Sequence, residues 1–184
     1  MRIEMDTFVP PGLADEMWRL YTDAFEELRC TAVQRHVMDR ADFDGLMRDR
    51  RVVKYRAVDP AGDGGACALA TLTNDLDAVP LVSPEYFQRR WPAHFAEGRI
   101  WYVGFVAIHP RHRGTGVFDD VVLAMCRVVS ARRGVAVLDV CRRNEEIYAL
   151  PQAIHRLLAH RSGAVATERE DTQSYWSYEF PATP

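Results

Sequence analysis

Two periodicities of apolar positions divide the chain of 184 residues into strands and helices. Alternating or continuously apolar runs predict strands at residues 3–8, 52–58, 66–73, 99–108 and 135–141, with two more near 164–168 and 175–180. Apolar positions three and four residues apart predict helices at residues 13–28, 42–50, 117–133 and 151–160. Strands that alternate with helices favour the α/β (α+β) class, and the length favours a single domain over residues 1–184.

Turn and cap residues support this division. The glycine-rich stretch 60–65 predicts a tight connection between the strands 52–58 and 66–73, which then form a hairpin. Ser83 followed by Pro84 predicts a helix start inside the aromatic stretch 74–98, which we interpret as an insertion rather than a linker. Gly134 and Gly163 are expected to end the two helices that precede them.

Composition narrows the class of protein. A hydrophobic fraction of 48% and a charged fraction of 27% are typical of a folded soluble domain, and the net charge of −3 argues against a nucleic-acid binder. No apolar run approaches the roughly 20 residues of a membrane span, and the N-terminus lacks a signal-like core, so we expect a cytoplasmic protein without a membrane partner. The four cysteines lack metal-ligand spacing, and we expect no metal site.

Arginine replaces lysine almost throughout. Lys54 is the only lysine, so 22 of the 23 Lys and Arg residues are arginine. A GC-rich codon preference is the main interpretation, and selection for bidentate contacts to anions is the alternative.

The segment with the most specific chemistry follows the central strand 99–108. Residues 109–116 form a loop rich in glycine and basic side chains, and the helix 117–133 begins directly after it. The first amides of a helix have no intrahelical partner, and glycines allow close approach of an anion, so this arrangement predicts an anion site. The loop lacks the G-K-[ST] of a P-loop, and Gly114-Thr115-Gly116 does not complete the G-x-G-x-x-G of a dinucleotide fold.

The stretch V-A-I-H-P-R-H-R-G-T-G-V, residues 106–117, resembles motif A of the GCN5-related N-acetyltransferase superfamily. The family pattern, an apolar strand followed by x-P-x-x-[QR]-G-x-G-[IV]-[GA], places Arg113 at the Q/R position, although a frame on Arg111 also fits a looser form. The resemblance implies a mixed, mostly antiparallel sheet of about seven strands flanked by helices, with two central strands that are parallel and splayed.

The same resemblance implies an acyl-CoA-dependent N-acyltransferase, in the simplest case one that moves an acetyl group from acetyl-CoA to a small-molecule amine by direct attack, without a metal. A backbone N–H near Val106 or Ala107 is expected to polarise the thioester carbonyl. The cofactor-binding residues implied by the resemblance are Val106, Ala107, Ile108, Arg111, His112, Arg113, Gly114, Thr115, Gly116, Val117 and Asn144.

Two departures from the family pattern concern the chemistry. Phe118 stands where the family has glycine or alanine, and it either narrows the cofactor groove or packs under the helix. The family's tyrosine that reprotonates the thiolate is not recognisable. Tyr102 and Tyr148 are therefore the candidates for proton transfer, with packing in the core or at an interface as the alternative for each.

Three other functions stay open at this stage. A long-chain N-acyltransferase that uses acyl-carrier protein, similar to the acyl-homoserine-lactone and N-acyl amino acid synthases, is one, and a non-catalytic CoA-binding module is another. An arginine-rich nucleic-acid binder is the third, and the acidic balance opposes it. Tyr175, Trp176 and Tyr178 suggest a terminal strand that pairs across a homodimer, with core packing as the alternative.

Overall fold

The computed structural model describes residues 1–32, 37–60, 64–162 and 165–179. Five strands lie in this part of the chain: β1 (Arg2–Asp6), β2 (Val53–Val58), β3 (Ala66–Thr73), β4 (Ile100–Ile108) and β5 (Val135–Leu138). The helices are α1 (Pro11–Phe25), α2 (Leu28–Thr31), α3 (Arg40–Arg48), α4 (Pro84–Arg90), α5 (Pro92–Ala96), α6 (Val117–Ala131), α7 (Arg142–Glu146) and α8 (Leu150–Ser162). Two 3₁₀ turns occupy Leu76–Ala78 and Pro110–His112.

The strands form one sheet in the order β1-β2-β3-β4-β5. The first four pair antiparallel, and β4 pairs parallel with β5. A parallel connection needs a crossover, which α6 supplies between β4 and β5. The predicted mixed, mostly antiparallel sheet is confirmed, but its parallel pair includes the edge strand β5 and is not central among the described strands.

Helices cover both faces of the sheet. On one face α6 and α8 pack against side chains of β2, β3 and β4, and Val117 and Val121 are fully buried there. On the other face α1 and α3 enclose an aromatic and aliphatic cluster that includes the fully buried Tyr21 and Phe43. A third cluster lies where the insertion 74–98 packs on the start of β4, around Ile100 and Tyr102.

The sheet differs from the expected seven strands. No residue between 165 and 179 forms a strand, so the strands predicted near 164–168 and 175–180 are not formed by the described residues there. Residues 164 and 180, at the ends of these predictions, lie outside the described part, as does Gly163. A strand needs a neighbouring ladder, and residues 168–170 are instead held by side-chain ion pairs to α4 and α7.

Local signals placed most boundaries within a few residues. Ser83 caps α4 by accepting a hydrogen bond from the Tyr86 amide, as predicted. The predicted helix 13–28 is shorter and ends at Phe25, and the strand predicted at 135–141 ends at Leu138. Part of the predicted hairpin turn, residues 61–63, lies outside the described residues.

Candidate active site

A β-bulge interrupts the central strand at Gly104. Phe105 pairs with Thr71 and Val103 pairs with Leu72, so Gly104 has no residue opposite it on β3. A Cβ at Gly104 would lie 2.6 Å from the Thr71 Oγ1, closer than such atoms approach, and glycine is the residue that fits. The extra residue shifts the side-chain alternation, so that residues 100 and 102 face the insertion, while 105 and 107 face α1.

Beyond the bulge, β4 separates from β5. Their parallel pairing runs from Ile100 and Val135 to Val103 and Leu138 and stops there, whereas β4 continues to Ile108. The His109 amide donates to the Cys67 carbonyl on β3. Because alternate amides of a strand point to the same side, the amide of residue 107 also points to β3, and those of Val106 and Ile108 point to the open edge. β5 ends at Leu138, so beyond Val103 this edge of β4 has no strand partner among the described residues, and we call this open edge, with the end of β5 beside it, the fork.

The loop at the end of this edge carries a run of unpaired amides. The amides of Gly114, Gly116 and Val117 make no hydrogen bond to any described residue. Both glycines have positive φ, 75° and 85°, and a Cβ on either would meet no atom within 4 Å. Gly116 begins α6 without a side-chain cap, so the positive end of the helix dipole faces open space. This geometry suits a negatively charged group.

The basic side chains of the loop have different surroundings. The exposed Arg113 donates to the Ala24 carbonyl at 2.9 Å and so links the loop to the end of α1. The Arg111 amide donates to His109 Nδ1, and the His112 carbonyl accepts from the Thr115 hydroxyl at 2.7 Å. These bonds fix the backbone of the loop and leave the Arg111 guanidinium exposed.

Side chains on both sides of the loop belong partly to the core. Ala107 is fully buried on the α1 face, and Val106 and Ile108 pack toward α6. Val117 is fully buried, so its side chain is structural and only its amide faces the loop. Phe118 packs against the core under α6, which answers the question raised by the sequence in favour of packing.

Asn144 and Tyr148 lie beyond the end of β5. Asn144 is half-buried on α7, and its side chain has no hydrogen-bond partner among the described residues. Tyr148 is 55% exposed, and its hydroxyl accepts from Arg143, whose guanidinium also lies 5.6 Å from the ring centroid. Arg143 pairs in turn with Glu27, just after α1. The structure therefore places Tyr148 in a polar surface network rather than beside Tyr102.

Tyr102 lies at the base of the fork and is buried beneath the insertion, with 4% of its surface exposed. Its hydroxyl donates to the carboxylate of Asp139, the first residue after β5. Burial, together with this hydrogen bond and the carboxylate charge, raises the pKa of Tyr102 far above its usual range. The hydroxyl therefore stays protonated at neutral pH and acts as a donor.

The apolar pattern of the sequence does not single out Asp139, because it places residue 139 inside the predicted strand 135–141. The signal was present, since Asp139 is a charged residue directly after four apolar ones. Its contact with Tyr102 joins residues 37 positions apart and depends on the β4–β5 register.

Other classes of site find no support in the described residues. No group of three or more His, Cys, Asp or Glu side chains there is arranged to hold a metal ion. No helix in the described ranges is both long enough and apolar enough to cross a bilayer. The four cysteines all lie in the described ranges and form no disulfide, and Cys30 is the exposed one.

Comparisons with known proteins identify the fold. No protein-family model matches the chain, and no curated protein matches its sequence. Among solved structures, the chain is similar to the ribosomal-protein-alanine N-acetyltransferase from Brucella melitensis biovar Abortus 2308, with 16% identity, a TM-score of 0.55 and coverage of 95% of this chain and 100% of that one.

Two aminoglycoside acetyltransferases are similar to the same extent. One, meta-AAC0020 from an uncultured soil metagenomic sample, has 12% identity and a TM-score of 0.54, with 97% of this chain and 96% of that one covered. The other, AAC(6')-Iy, has 16% identity and a TM-score of 0.51, with 96% and 100% covered, and was solved with the bisubstrate analogue CoA-S-monomethyl-acetylneamine. The forked sheet, the loop that follows it and these similarities agree, and the chain has the fold of the GCN5-related N-acetyltransferases.

Proposed function

We propose that this protein is an acyl-CoA-dependent N-acyltransferase that moves an acetyl group from acetyl-CoA to the amine of a small molecule. The observation that carries the proposal is the open edge of β4, which leads directly into a loop whose amides are unpaired. A molecule that is extended at one end and carries phosphates at the other fits both features. The similar aminoglycoside acetyltransferases, one of them solved with CoA, support the choice of donor and of acceptor class.

Different residues would bind different parts of the donor. The amides of Gly114, Gly116 and Val117 would bind the pyrophosphate, with Arg111, His112, Arg113 and Thr115 beside it. The open-edge groups of Val106 and Ile108 would pair with the pantetheine arm, and Ala107 supports the strand from the core. Asn144 lies on the β5 side of the fork, where it would contact the same arm.

The direction of the amides favours one oxyanion donor. The sequence left Val106 and Ala107 as alternatives, and only the Val106 amide points to the open edge. Its N–H would donate to the thioester oxygen as negative charge develops there. The ring of Phe105, 4.9 Å from that of Tyr21 and 6.0 Å from that of Phe25, fills the α1 face beside the bulge. This packing favours a short acyl group over a long chain.

Thermal unfolding with CoA, acetyl-CoA and a long-chain acyl-CoA tests the donor. A ligand at 100 times its Kd stabilises the folded state by about 2.7 kcal/mol, or roughly 5–10 °C for a chain of this length. We expect this shift with acetyl-CoA, and a smaller shift with the long-chain donor. Stabilisation by the long-chain donor alone would favour a long-chain acyltransferase.

Two substitutions locate the binding site. Gly116→Val should abolish the shift, because valine does not tolerate a φ of 85° and its side chain would occupy the approach to the amides. Arg113→Ala should reduce it. Arg127→Ala, which removes an exposed arginine on the same α6, is the matched control and should keep the full shift. No shift with any donor would contradict the proposal, and a shift without thiol release for any amine would leave a CoA-binding module.

A further inference from the structure

Asp139 carries a negative charge that nothing in the described chain neutralises. Its Oδ1 accepts from the Tyr102 hydroxyl, which is a neutral donor, and no arginine, lysine or histidine of the described residues forms an ion pair with it. Its Oδ2 has no hydrogen-bond partner there, and the residue is exposed. The carboxylate is thus held in place on one oxygen and free on the other.

The charged side chains on the neighbouring α7 differ from Asp139 because they form ion pairs. Arg142 pairs with Glu146, and Arg143 pairs with Glu27. Glu145 pairs with Arg169 of the C-terminal segment. A cation that enters the fork would therefore meet Asp139 as the carboxylate without a partner.

The position of Asp139 along the fork is close to that of the Val106 amide. Tyr102 pairs with Val137, so Asp139, two residues further, stands at the level of the bulge at Gly104. At about 3.3 Å per strand residue, this is roughly 7 Å before the Val106 amide along β4. An acceptor amine at the level of Asp139 and a thioester oxygen at the level of Val106 would then be neighbours along this edge.

Resting on the proposed function, we propose that Asp139 binds the ammonium group of the acceptor and takes a proton from it, with Tyr102 as the residue that positions its carboxylate. One N–H proton of the ammonium moves to Oδ2, and the freed lone pair forms the C–N bond to the thioester carbon. The C–S bond then breaks, and the sulfur takes the second N–H proton. The proton on Asp139 leaves to water, which restores the carboxylate. Asp139 therefore acts on acceptors whose amine is protonated at neutral pH.

Burial of Tyr102 explains why it positions rather than reacts. Its ring is enclosed by the cluster around Leu76, Phe87 and Ile100, and Asp139 is the one side chain among the described residues that its hydroxyl contacts. A protonated hydroxyl fixed in this way limits the rotation of the carboxylate and leaves the other oxygen free to bind a ligand.

The test uses the full-length protein, acetyl-CoA and a panel of primary amines that spans aliphatic amines, which are protonated at pH 7.5, and anilines, which are neutral. Thiol release gives kcat and KM for both substrates. Asp139→Asn should lower kcat/KM for aliphatic amines by about 10²–10⁴-fold and leave anilines within a few-fold, because anilines have no ammonium proton to lose. The acetyl-CoA thermal shift should be unchanged.

Tyr102→Phe should lower kcat for aliphatic amines less than Asp139→Asn does, and leave the KM for acetyl-CoA unchanged. Two matched controls remove similar groups elsewhere: Asp42→Asn removes an exposed carboxylate in the first turn of α3, and Tyr55→Phe removes a buried hydroxyl on the α6 face of the sheet. Both controls should keep the wild-type rates.

Each outcome decides a different claim. An equal loss for aliphatic amines and anilines, or no loss in Asp139→Asn, would overturn the role of Asp139 and leave the proposed function standing. Acetyl-CoA binding without acylation of any amine by the wild type would contradict the proposed function, and the role of Asp139 would fall with it. Absence of acetyl-CoA binding in the wild type would instead contradict the proposed function itself.

Discussion

The single lysine provides a direct test of how burial controls charge in this fold. Lys54 lies on β2 and is fully buried between the end of β1 and α3. Its ammonium donates to the Asp49 carbonyl at 2.6 Å and the Thr7 carbonyl at 3.1 Å, so its partners are backbone dipoles rather than a carboxylate. Burial lowers the pKa of Lys54 from 10.5 to about 8, and the charges of Asp49 and Asp6 offset only part of this effect.

The size and sign of the effect follow from this shift. One pKa unit corresponds to about 1.4 kcal/mol, so the shift corresponds to about 3 kcal/mol. The folded protein releases the proton near pH 8, and the unfolded chain keeps it until about pH 10.5. The unfolded state therefore binds more protons between these values, and the free energy of unfolding rises with pH across this window because of Lys54. Below pH 8 the full cost of burying the charge is present.

Urea unfolding of the wild type and Lys54→Met between pH 7 and pH 10.5 measures this contribution. We expect the difference between the two free energies of unfolding to move by about 3 kcal/mol in favour of the wild type as the pH rises. Tyrosines and cysteines that ionise in this range are common to both proteins and cancel in the difference. Arg89→Met removes an exposed cation on α4, and its difference from the wild type should not change with pH.

A difference that stays constant with pH would refute the reasoning, because it would mean that Lys54 keeps an ordinary pKa in the folded state. A second measurement does not need the variant to fold. Since Lys54 is the only lysine and is fully buried, an amine-acylating reagent should label the native wild type at the N-terminus alone. Rapid labelling of Lys54 without unfolding would contradict its burial.

Three further predictions concern the fork and the C-terminal segment. Gly104→Ala should cost about 1–3 kcal/mol of stability in thermal unfolding, and Thr71→Ala in the same chain should recover part of it by removing the atom that the new Cβ meets. If the two substitutions are additive, the close approach at the bulge is not the cause. Arg90→Ala should speed tryptic cleavage at residue 169 several-fold, because it removes the ion pairs that hold residues 168 and 170. The melting temperature should change little, because these ion pairs are exposed. Unchanged cleavage would mean that other contacts hold the segment. In an ultraviolet titration, Tyr102 should not ionise before alkaline unfolding, because its pKa is raised. Tyr102→Phe should therefore leave unchanged the absorbance step that comes from tyrosines ionising in the folded protein. A smaller step in the variant would show that Tyr102 has an ordinary pKa.

Much of the donor half of the site could be predicted from the sequence. The strand before the loop is apolar on both faces, the loop carries glycines at the two positions with positive φ, and the helix after it has a clear apolar stripe. These are local properties, set by neighbouring residues, and a pattern of about thirty residues expresses all of them. The fold of the GCN5-related N-acetyltransferases followed from that pattern.

The acceptor half could not be predicted in this way. The Tyr102 hydroxyl meets Asp139 only because β4 and β5 pair in one parallel register, and that register is set by packing across the whole sheet. Tyr148, the second candidate after Tyr102 in the sequence, lies instead in a surface network with Arg143.

The C-terminal segment shows the same division between local pattern and tertiary contact. Its aromatic residues predict a strand, but a strand requires a neighbouring edge, and Tyr175, Trp176 and Tyr178 are exposed instead. The ion pairs to α4 and α7 hold only residues 168–170. The sequence by itself determined the strand, loop and helix that suit a phosphate-bearing donor, because hydrophobic periodicity and glycine conformation act over short distances. The tertiary structure alone decided the bulge at Gly104, the opening of the fork and the carboxylate of Asp139 within it, because each depends on strands distant in sequence being brought into register.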